Sequence, residues 1–167
     1  MRILGIDPGT RLTGYGCVEL RAGSFEPRLV EAGVLTFKPT ESIEKRLAEL
    51  HAAIVDLITE LAPARIAIEK LYSHYAHPRT AIIMAHARGV ILLAAQQSRL
   101  EIEHLPSTEV KKAVTGNGHA SKNQVQLAVQ SQFRLAEPPE PPDVADAIAI
   151  ALTSGRRYAY AQPARRT

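Results

Sequence analysis

The chain has 167 residues, of which 46% are hydrophobic and 22% charged, so a single globular domain is expected rather than a disordered or low-complexity chain. Its formal net charge of +3 permits a polyanionic partner but does not require one. The only cysteine is Cys17, which excludes an internal disulfide and a thiolate metal cluster, and no apolar run is long enough for a signal peptide or a membrane span.

The first third of the chain predicts three consecutive antiparallel strands. Residues 2–7 form a β-rich run that ends in the turn sequence Asp-Pro-Gly-Thr, and further strands are predicted at 13–20 and about 28–37. A helix follows, with Ser42 as its N-cap, apolar residues at helical spacing and Pro63 at its end.

The rest of the chain alternates strands with helices and then ends in helices. In order, the predicted elements are a strand at 65–69, a helix at 80–97, a strand at 102–105, a helix at 107–114 capped by Ser107 or Thr108, a helix from its cap Ser121 to about 135, and a helix from about 143 to just before 155. The stretch 136–142 cannot be helical because successive prolines lack N–H donors.

This order, βββαβαβ followed by helices, predicts an α/β fold with a mixed five-stranded sheet. Residues 1–158 are expected to form one domain, and residues 159–167 a disordered basic tail.

Four acidic residues lie where a strand ends or a helix begins. Asp7 ends the first strand and Glu69 ends the fourth, while Asp143 and Asp146 share one face of the last helix because they are three residues apart. Each has a structural alternative: an Asx-turn for Asp7, a solvated strand end for Glu69, and helix-dipole compensation for the pair.

The pair that opens the last helix carries the strongest indication of a site. The helix continues as an almost wholly apolar run over 147–152, so Asp146 is expected at the rim of the core, where two acids repel each other unless a cation or a proton offsets them. Carboxylate oxygens suit Mg²⁺ or Mn²⁺ better than Zn²⁺. Two such ions can activate a water molecule and stabilise the leaving oxygen of a phosphodiester.

Six stretches of the sequence resemble one known family. They are residues 4–16, 67–69, 87–89, 109–112 with Gly116 and Gly118, 122–126, and 143–151. In this order and over nearly the whole chain, they are similar to bacterial Holliday-junction resolvases of the RuvC type, in the RNase H-like superfamily. The resemblance implies an RNase H-like fold with helices on both faces of the sheet, and a metal-dependent endonuclease that resolves four-way DNA junctions by symmetric phosphodiester hydrolysis in recombination and repair.

The resemblance also implies site residues and partners. The catalytic, metal-binding residues would be Asp7, Glu69, Asp143 and Asp146, holding two Mg²⁺ ions for which Mn²⁺ can substitute. The DNA-binding candidates are Lys111, Lys122, Tyr72, Arg79 and Lys112; an ordinary solvated basic face is preferred for Lys112, and a partly buried aromatic is the alternative for Tyr72. The implied partners are junction DNA, a second copy bound through the helix at 80–97, and a branch-migration helicase complex, in the bacterial cytoplasm at the nucleoid.

One segment, residues 73–86, departs from the family pattern. The family generally has an Asn a few residues before the position of Ala81 and a Gly near Ala85, whereas this chain has His77 and Pro78 in a loop that is one residue longer. Three histidines (His74, His77 and His86) gather there. Exposed loop histidines are favoured over a metal site because further ligands are not identifiable.

Three other classes of protein share some of these features. Sugar-kinase or actin-like phosphotransferases also begin with a strand that ends in Asp-x-Gly-Thr, but they need a duplicated domain for which 167 residues leave no room. A catalytically silent junction-binding protein would be expected to have lost a carboxylate, and this chain has all four. Related nucleases that act on ribosomal RNA precursors share the fold but lack the stretch around Lys122.

Overall fold

The structure is a computed structural model that describes residues 1–71 and 78–161, with Pro78 and Arg79 described by their backbone alone. The strands are β1 (Arg2–Asp7), β2 (Leu12–Glu19), β3 (Arg28–Thr36), β4 (Arg65–Glu69) and β5 (Glu101–Leu105). The helices are α1 (Ile43–Leu61), α2 (Pro78–Gln97), α3 (Ser107–Thr115), α4 (Lys122–Phe133) and α5 (Pro142–Ala161). The predicted order of elements is confirmed.

The strands form one mixed sheet in the order β3-β2-β1-β4-β5. The first three strands pair antiparallel as a meander, whereas β4 and β5 extend the sheet from β1 by parallel pairing. Because Ile6 pairs with Ile68 in parallel register, Asp7 and Glu69, each the next residue along its strand, end at the same edge of the sheet.

The sheet is covered by helices on both faces, as expected. Alternate residues along a strand point to opposite faces. Leu4 and Ile6 of β1 therefore pack with α1 and α2 in one buried cluster, while Ile3 packs in a second cluster with Ala67 and the apolar side of α5. The five residues Ala147–Ala151 of α5 are all essentially inaccessible to solvent, which explains the apolar run seen in the sequence.

Glycines in the sheet let α5 lie directly on β1 and β2. A Cβ atom at Gly14 would overlap the backbone oxygen of Asp143, and one at Gly5 would overlap that of Ala147. The main chain of the helix and that of the strands are therefore in direct contact at both points, which determines where the first turn of α5 stands over the sheet.

Two helix boundaries correct the sequence prediction. Helix α5 does not end before Gly155 but continues to Ala161. The glycine is needed for packing rather than for a helix end, because a Cβ atom there would lie 2.6 Å from Cγ of Pro27. Residues 159–161, predicted as tail, are thus helical, and 162–167 lie outside the described part of the chain. Helix α2 begins at Pro78 rather than at residue 80, since proline is well tolerated in a first helical turn.

The predicted helix caps are partly confirmed. Ser42 accepts a hydrogen bond from the backbone N–H of Lys45, and Ser121 forms a capping box with Gln124. The prediction of Ser107 or Thr108 as the cap of α3 is wrong, because Pro106 occupies that position and supplies no side-chain hydrogen bond. None of the helices in the described residues is long and apolar enough to cross a membrane.

Candidate active site

A cavity of about 230 Å³ opens at the edge of the sheet where β1 and β4 end. Its charged lining residues are Asp7, Glu69, Asp143, Asp146, Lys111 and Lys122. The remaining lining residues are Pro8, Met84, Ser107, Val110 and Val125. The structure thus brings together all four carboxylates singled out in the sequence and two of the predicted DNA-binding lysines, from five different elements.

The carboxylates of β1 and α5 are brought together by backbone packing. Asp7 pairs with Gly14 across the β1–β2 ladder, and the backbone oxygen of Asp143 packs against Gly14. The first turn of α5 therefore stands over the end of β1. Asp146 follows one turn later on the same face of the helix, so both of its acids reach the cavity.

The turn after β1 is held by a buried threonine. The hydroxyl of Thr13 donates to the backbone oxygen of Gly9 at 2.6 Å and accepts from its N–H at 3.2 Å. Thr13 itself has no exposed surface. The turn therefore does not depend on the Asp7 carboxylate for its closure, which disfavours the Asx-turn interpretation and leaves that carboxylate available to the cavity.

Asp7 is the most strongly perturbed acid of the site. Burial raises the pKa of its carboxyl well above the ordinary value, and the nearby charges of Asp146, Glu69 and Asp143 raise it further. The Lys122 ammonium acts in the opposite direction but does not outweigh them. A divalent cation would relieve the same repulsion without protonation.

Two other carboxyls are perturbed in the same direction. Burial raises the pKa of Glu69, and Asp146 adds to the shift while Lys111 and Lys122 reduce it. Burial also raises the pKa of Asp146, although Lys122 opposes the shift through an ion pair of 3.6 Å between Nζ and Oδ2. The cavity therefore carries four carboxyl groups against two ammonium groups, an excess of negative charge.

The chemistry of these donors fits a hard divalent cation, since every candidate ligand is a carboxylate oxygen. Within the described residues, no group of three or more acidic, histidine or cysteine side chains is already arranged to hold a metal ion. The carboxylates line one small cavity, and ligation requires them to converge on a common point inside it.

Of the other predicted DNA-binding residues, one does not line the cavity and the side chains of two fall outside the described part of the structure. Lys112 is exposed and does not line the cavity, in keeping with the solvated face preferred for it. Tyr72, His74 and His77 lie outside the described residues, as does the side chain of Arg79. His86 is exposed and lines a separate hollow between α1 and α2.

Sequence reasoning missed a link between α2 and Glu69. The guanidinium of Arg88 donates from Nε to the backbone oxygen of Glu69 at 3.2 Å and lies 2.6 Å from Nδ1 of His104. Arg88 thereby holds the end of β4 against α2. An arginine in the middle of an apolar helix was the available signal, but its acceptor depends on how the helix packs.

A second missed residue supports the start of α5. The buried side-chain amide of Gln126 donates to the backbone oxygen of Pro139 at 3.0 Å and to the Glu140 carboxylate at 2.8 Å. These bonds fasten the proline-rich connector that leads into Asp143. Gln126 lies one helical turn after Lys122, so α4 supports the connector and supplies a cation to the cavity.

Comparison with known proteins identifies the family of this chain. The family model described as crossover junction endodeoxyribonuclease RuvC matches residues 3–154, most of the chain. The chain belongs to the RuvC family. A RuvC-family relative from Rhodopirellula baltica, named crossover junction endodeoxyribonuclease RuvC, is 49% identical over 152 residues, covering 90% of this chain and 83% of the relative.

Solved RuvC structures share the fold. The structure of Thermus thermophilus RuvC matches with a TM-score of 0.84 and 30% identity, covering 96% of both chains. The same protein, described as in complex with Holliday junction substrate, matches with a TM-score of 0.85 and 32% identity over 95% of this chain and 97% of that one. The expected RNase H-like fold is confirmed, and membership of the RuvC family makes the chain an endonuclease.

Proposed function

We propose that this chain resolves four-way DNA junctions by hydrolysing a phosphodiester bond in each of two opposed strands, as a homodimer that requires Mg²⁺. The observation that carries the proposal is the meeting of Asp7, Glu69, Asp143 and Asp146 in one cavity beside two lysines. Family membership supports it, as does the Thermus thermophilus relative described in complex with Holliday junction substrate.

In this proposal the four carboxylates hold two Mg²⁺ ions, and Mn²⁺ can replace them. When bound, such ions activate a water molecule and stabilise the leaving oxygen of the phosphodiester. Asp7 would hold an ion from the end of β1, where the charges of the three other acids act on its carboxyl. Glu69 approaches from the end of β4, and the acids of α5 complete the set.

The two lysines act on the phosphate. Lys111 and Lys122 both line the cavity, where an ammonium group can neutralise the charge that develops on the phosphate oxygens. The side chain of Lys122 is 64% exposed at its ion pair with Asp146, so it can turn towards a phosphate that enters from solvent. Tyr72 and Arg79 remain proposed contacts to junction DNA, whereas a solvated basic face remains preferred for Lys112.

The outer face of α2 supports the proposed homodimer. The side chains of Ile82 and Leu93 on this helix are 57% and 52% exposed, and a hollow of about 470 Å³ lies between α1 and α2. A Cβ atom at Gly89 would meet nothing within 4 Å, although glycine inside a helix costs about 1 kcal/mol relative to alanine. The exposed apolar side chains and the glycine both suit close contact with a second copy. A second copy would supply a second active site, and symmetric resolution requires two opposed cuts.

The remaining partners follow from the family resemblance. We propose that the dimer works with a branch-migration helicase complex, in the bacterial cytoplasm at the nucleoid. The net charge of +3 is compatible with residence on DNA.

A cleavage assay with a synthetic four-way junction and a linear duplex of the same sequence tests this function, with Mg²⁺ or with EDTA. The wild-type protein should cut the junction alone, and only with Mg²⁺. Asp7→Asn should abolish cutting and retain junction binding, because DNA contacts elsewhere position the substrate. Asp56→Asn, at an exposed acid on α1, is the matched control and should cut like the wild type.

The other outcomes separate the alternatives. Normal cutting by Asp7→Asn would exclude the proposed metal site. Tight junction binding by the wild type without cutting would favour the silent binding protein, and ATP hydrolysis without cutting would favour a phosphotransferase.

A further inference from the structure

A second, larger groove of about 840 Å³ continues from the carboxylate cavity. The two share Pro8, Met84 and Asp143, so one opens into the other. The groove passes the turn between β1 and β2 and reaches the end of β3, α1 and the start of α2. The residues found only in the groove are Gly9, Thr10, Arg11, Leu12, Thr36, Phe37, Pro39, Arg46, Thr80 and Ile83.

The lining of this groove suits an anion. Among its described lining residues, Arg11 and Arg46 carry positive charge, three threonines supply hydroxyl groups, and the one acid, Asp143, belongs to the carboxylate cavity. Throughout the described residues, neither arginine forms an ion pair with a carboxylate. Both charges are therefore available to a bound ligand.

Arg46 is held in place but not saturated. Its Nη1 donates to the backbone oxygen of Thr10 at 3.1 Å, which fixes the guanidinium against the β1–β2 turn. Its Nε is buried and has no hydrogen-bond partner in the described residues. A guanidinium has five N–H donors in a planar fork, so the terminal nitrogens of an arginine fixed in this way keep donors that can contact a phosphate in the groove.

We propose that this groove binds the sugar–phosphate backbone of the cleaved strand beside the scissile phosphate, with Arg11 and Arg46 as its phosphate contacts. The inference rests on the proposed function, because a strand whose phosphate occupies the carboxylate cavity must continue through an adjoining channel. The apolar surfaces of Phe37 and Pro39 lie along the same groove, where the sugars pass. The contacts set the register of the strand over the carboxylates and carry no sequence preference.

Junction binding in EDTA, measured across a series of salt concentrations, tests the groove with single-charge variants. Arg11→Ala and Arg46→Ala should each weaken binding about tenfold and make the slope of log K against log salt shallower by about 1. Lys45→Ala and Arg21→Ala are matched controls that also lose one positive charge. Lys45 precedes Arg46 on α1 and pairs with Glu41, whereas Arg21 lies beyond the opposite end of β2 from Arg11.

Steady-state cleavage provides a second readout. Loss of a phosphate contact should raise KM more than it lowers kcat, and Arg46→Lys should restore the salt slope because it keeps the charge. Loss of kcat with wild-type affinity would instead mean that Arg46 only supports the turn behind Asp7, and would overturn its assignment.

The groove and the proposed function fail in different ways. If Arg11→Ala and Arg46→Ala bind with the affinity and salt slope of the two controls, the groove does not contact DNA, even when Asp7→Asn is inactive. Arg11 is exposed to solvent, so its variant should fold and keeps the test decisive if Arg46→Ala lowers stability. Normal cutting by Asp7→Asn would overturn the metal site and leave the groove result standing.

Discussion

At the scale of single residues, Asp7 combines a structural cost with the proposed catalytic role. Its carboxyl is buried beside three other acids, and its pKa is raised well above the ordinary value. The folded protein consequently binds this proton more tightly than the unfolded chain does. Stability therefore falls as the pH rises from the ordinary Asp pKa of 3.8 towards the raised one.

Removal of this charge should stabilise the metal-free protein at neutral pH. We expect Asp7→Asn to melt at a higher temperature than the wild type in EDTA at pH 7, with the difference shrinking as the pH falls from the raised pKa of Asp7 towards about 4 and staying constant below it. Each kcal/mol of relieved repulsion should raise Tm by roughly 2–4 °C. Calorimetry over this pH range measures the difference in Tm. A variant that melts below the wild type at pH 7 would contradict the proposed repulsion at Asp7.

The residues at the centre of the site could be predicted, whereas their supports could not. Asp7 and Glu69 were recognisable because each follows a strand, and the pair at the start of α5 because an apolar helix opens with two acids. Arg46, Arg88 and Gln126 act through backbone oxygens of distant segments. Periodicity gives the face of a helix on which such a residue lies, but it does not give the carbonyl that packs against that face.

At the scale of elements, the contact between α5 and the sheet decides the separation of the acids. The backbone oxygen of Asp143 occupies the space that a side chain at position 14 would need. Because both groups are main chain, neither can move aside by a change of rotamer.

Gly14→Ala should therefore shift the first turn of α5. We expect a loss of about 1–3 kcal/mol in the free energy of unfolding and a strong loss of cleavage, because Asp143 and Asp146 move away from Asp7. Denaturant unfolding and the junction assay measure the two effects. Junction binding in EDTA should survive in the folded variant, and wild-type cleavage by Gly14→Ala would show that the close contact does not control the site.

Element boundaries were less predictable than the elements themselves. The helical run of α5 was evident, but Gly155 suggested a helix end although it serves as the contact with Pro27. The cap of α3 was misassigned because Ser and Thr at positions 107 and 108 are good caps, and the chain instead enters that helix through Pro106. In both cases tertiary packing decided between local options that the sequence left open.

At the scale of the whole molecule, the topology is what unites the site. Parallel pairing of β1 with β4 carries two acids to one edge, and α3, α4 and α5 close over that edge with two lysines and the second acid pair. The βββαβαβ order was sufficient to predict the mixed sheet. The meeting of these helices at that edge was predicted only through the family resemblance, because hydrophobic periodicity does not show which distant segments pack together.

Disruption of the proposed dimer should leave each subunit folded but prevent symmetric resolution. We expect Leu93→Asp on α2 to yield a folded monomer that cuts junctions at least tenfold more slowly and without paired incisions, because a buried unpaired charge opposes association. Leu127→Asp, at a leucine of α4 that is 48% exposed, is the matched control and should remain dimeric. Analytical ultracentrifugation gives the mass, and a fully active Leu93→Asp dimer would exclude this face.

The guanidinium of Arg88 links helix α2 to the proposed reaction centre. It joins the helix proposed to meet the second copy to the carbonyl of Glu69, at the end of β4. In the proposed dimer, a displacement of α2 at its contact with the second copy would therefore act through Arg88 on the backbone that carries the Glu69 carboxylate.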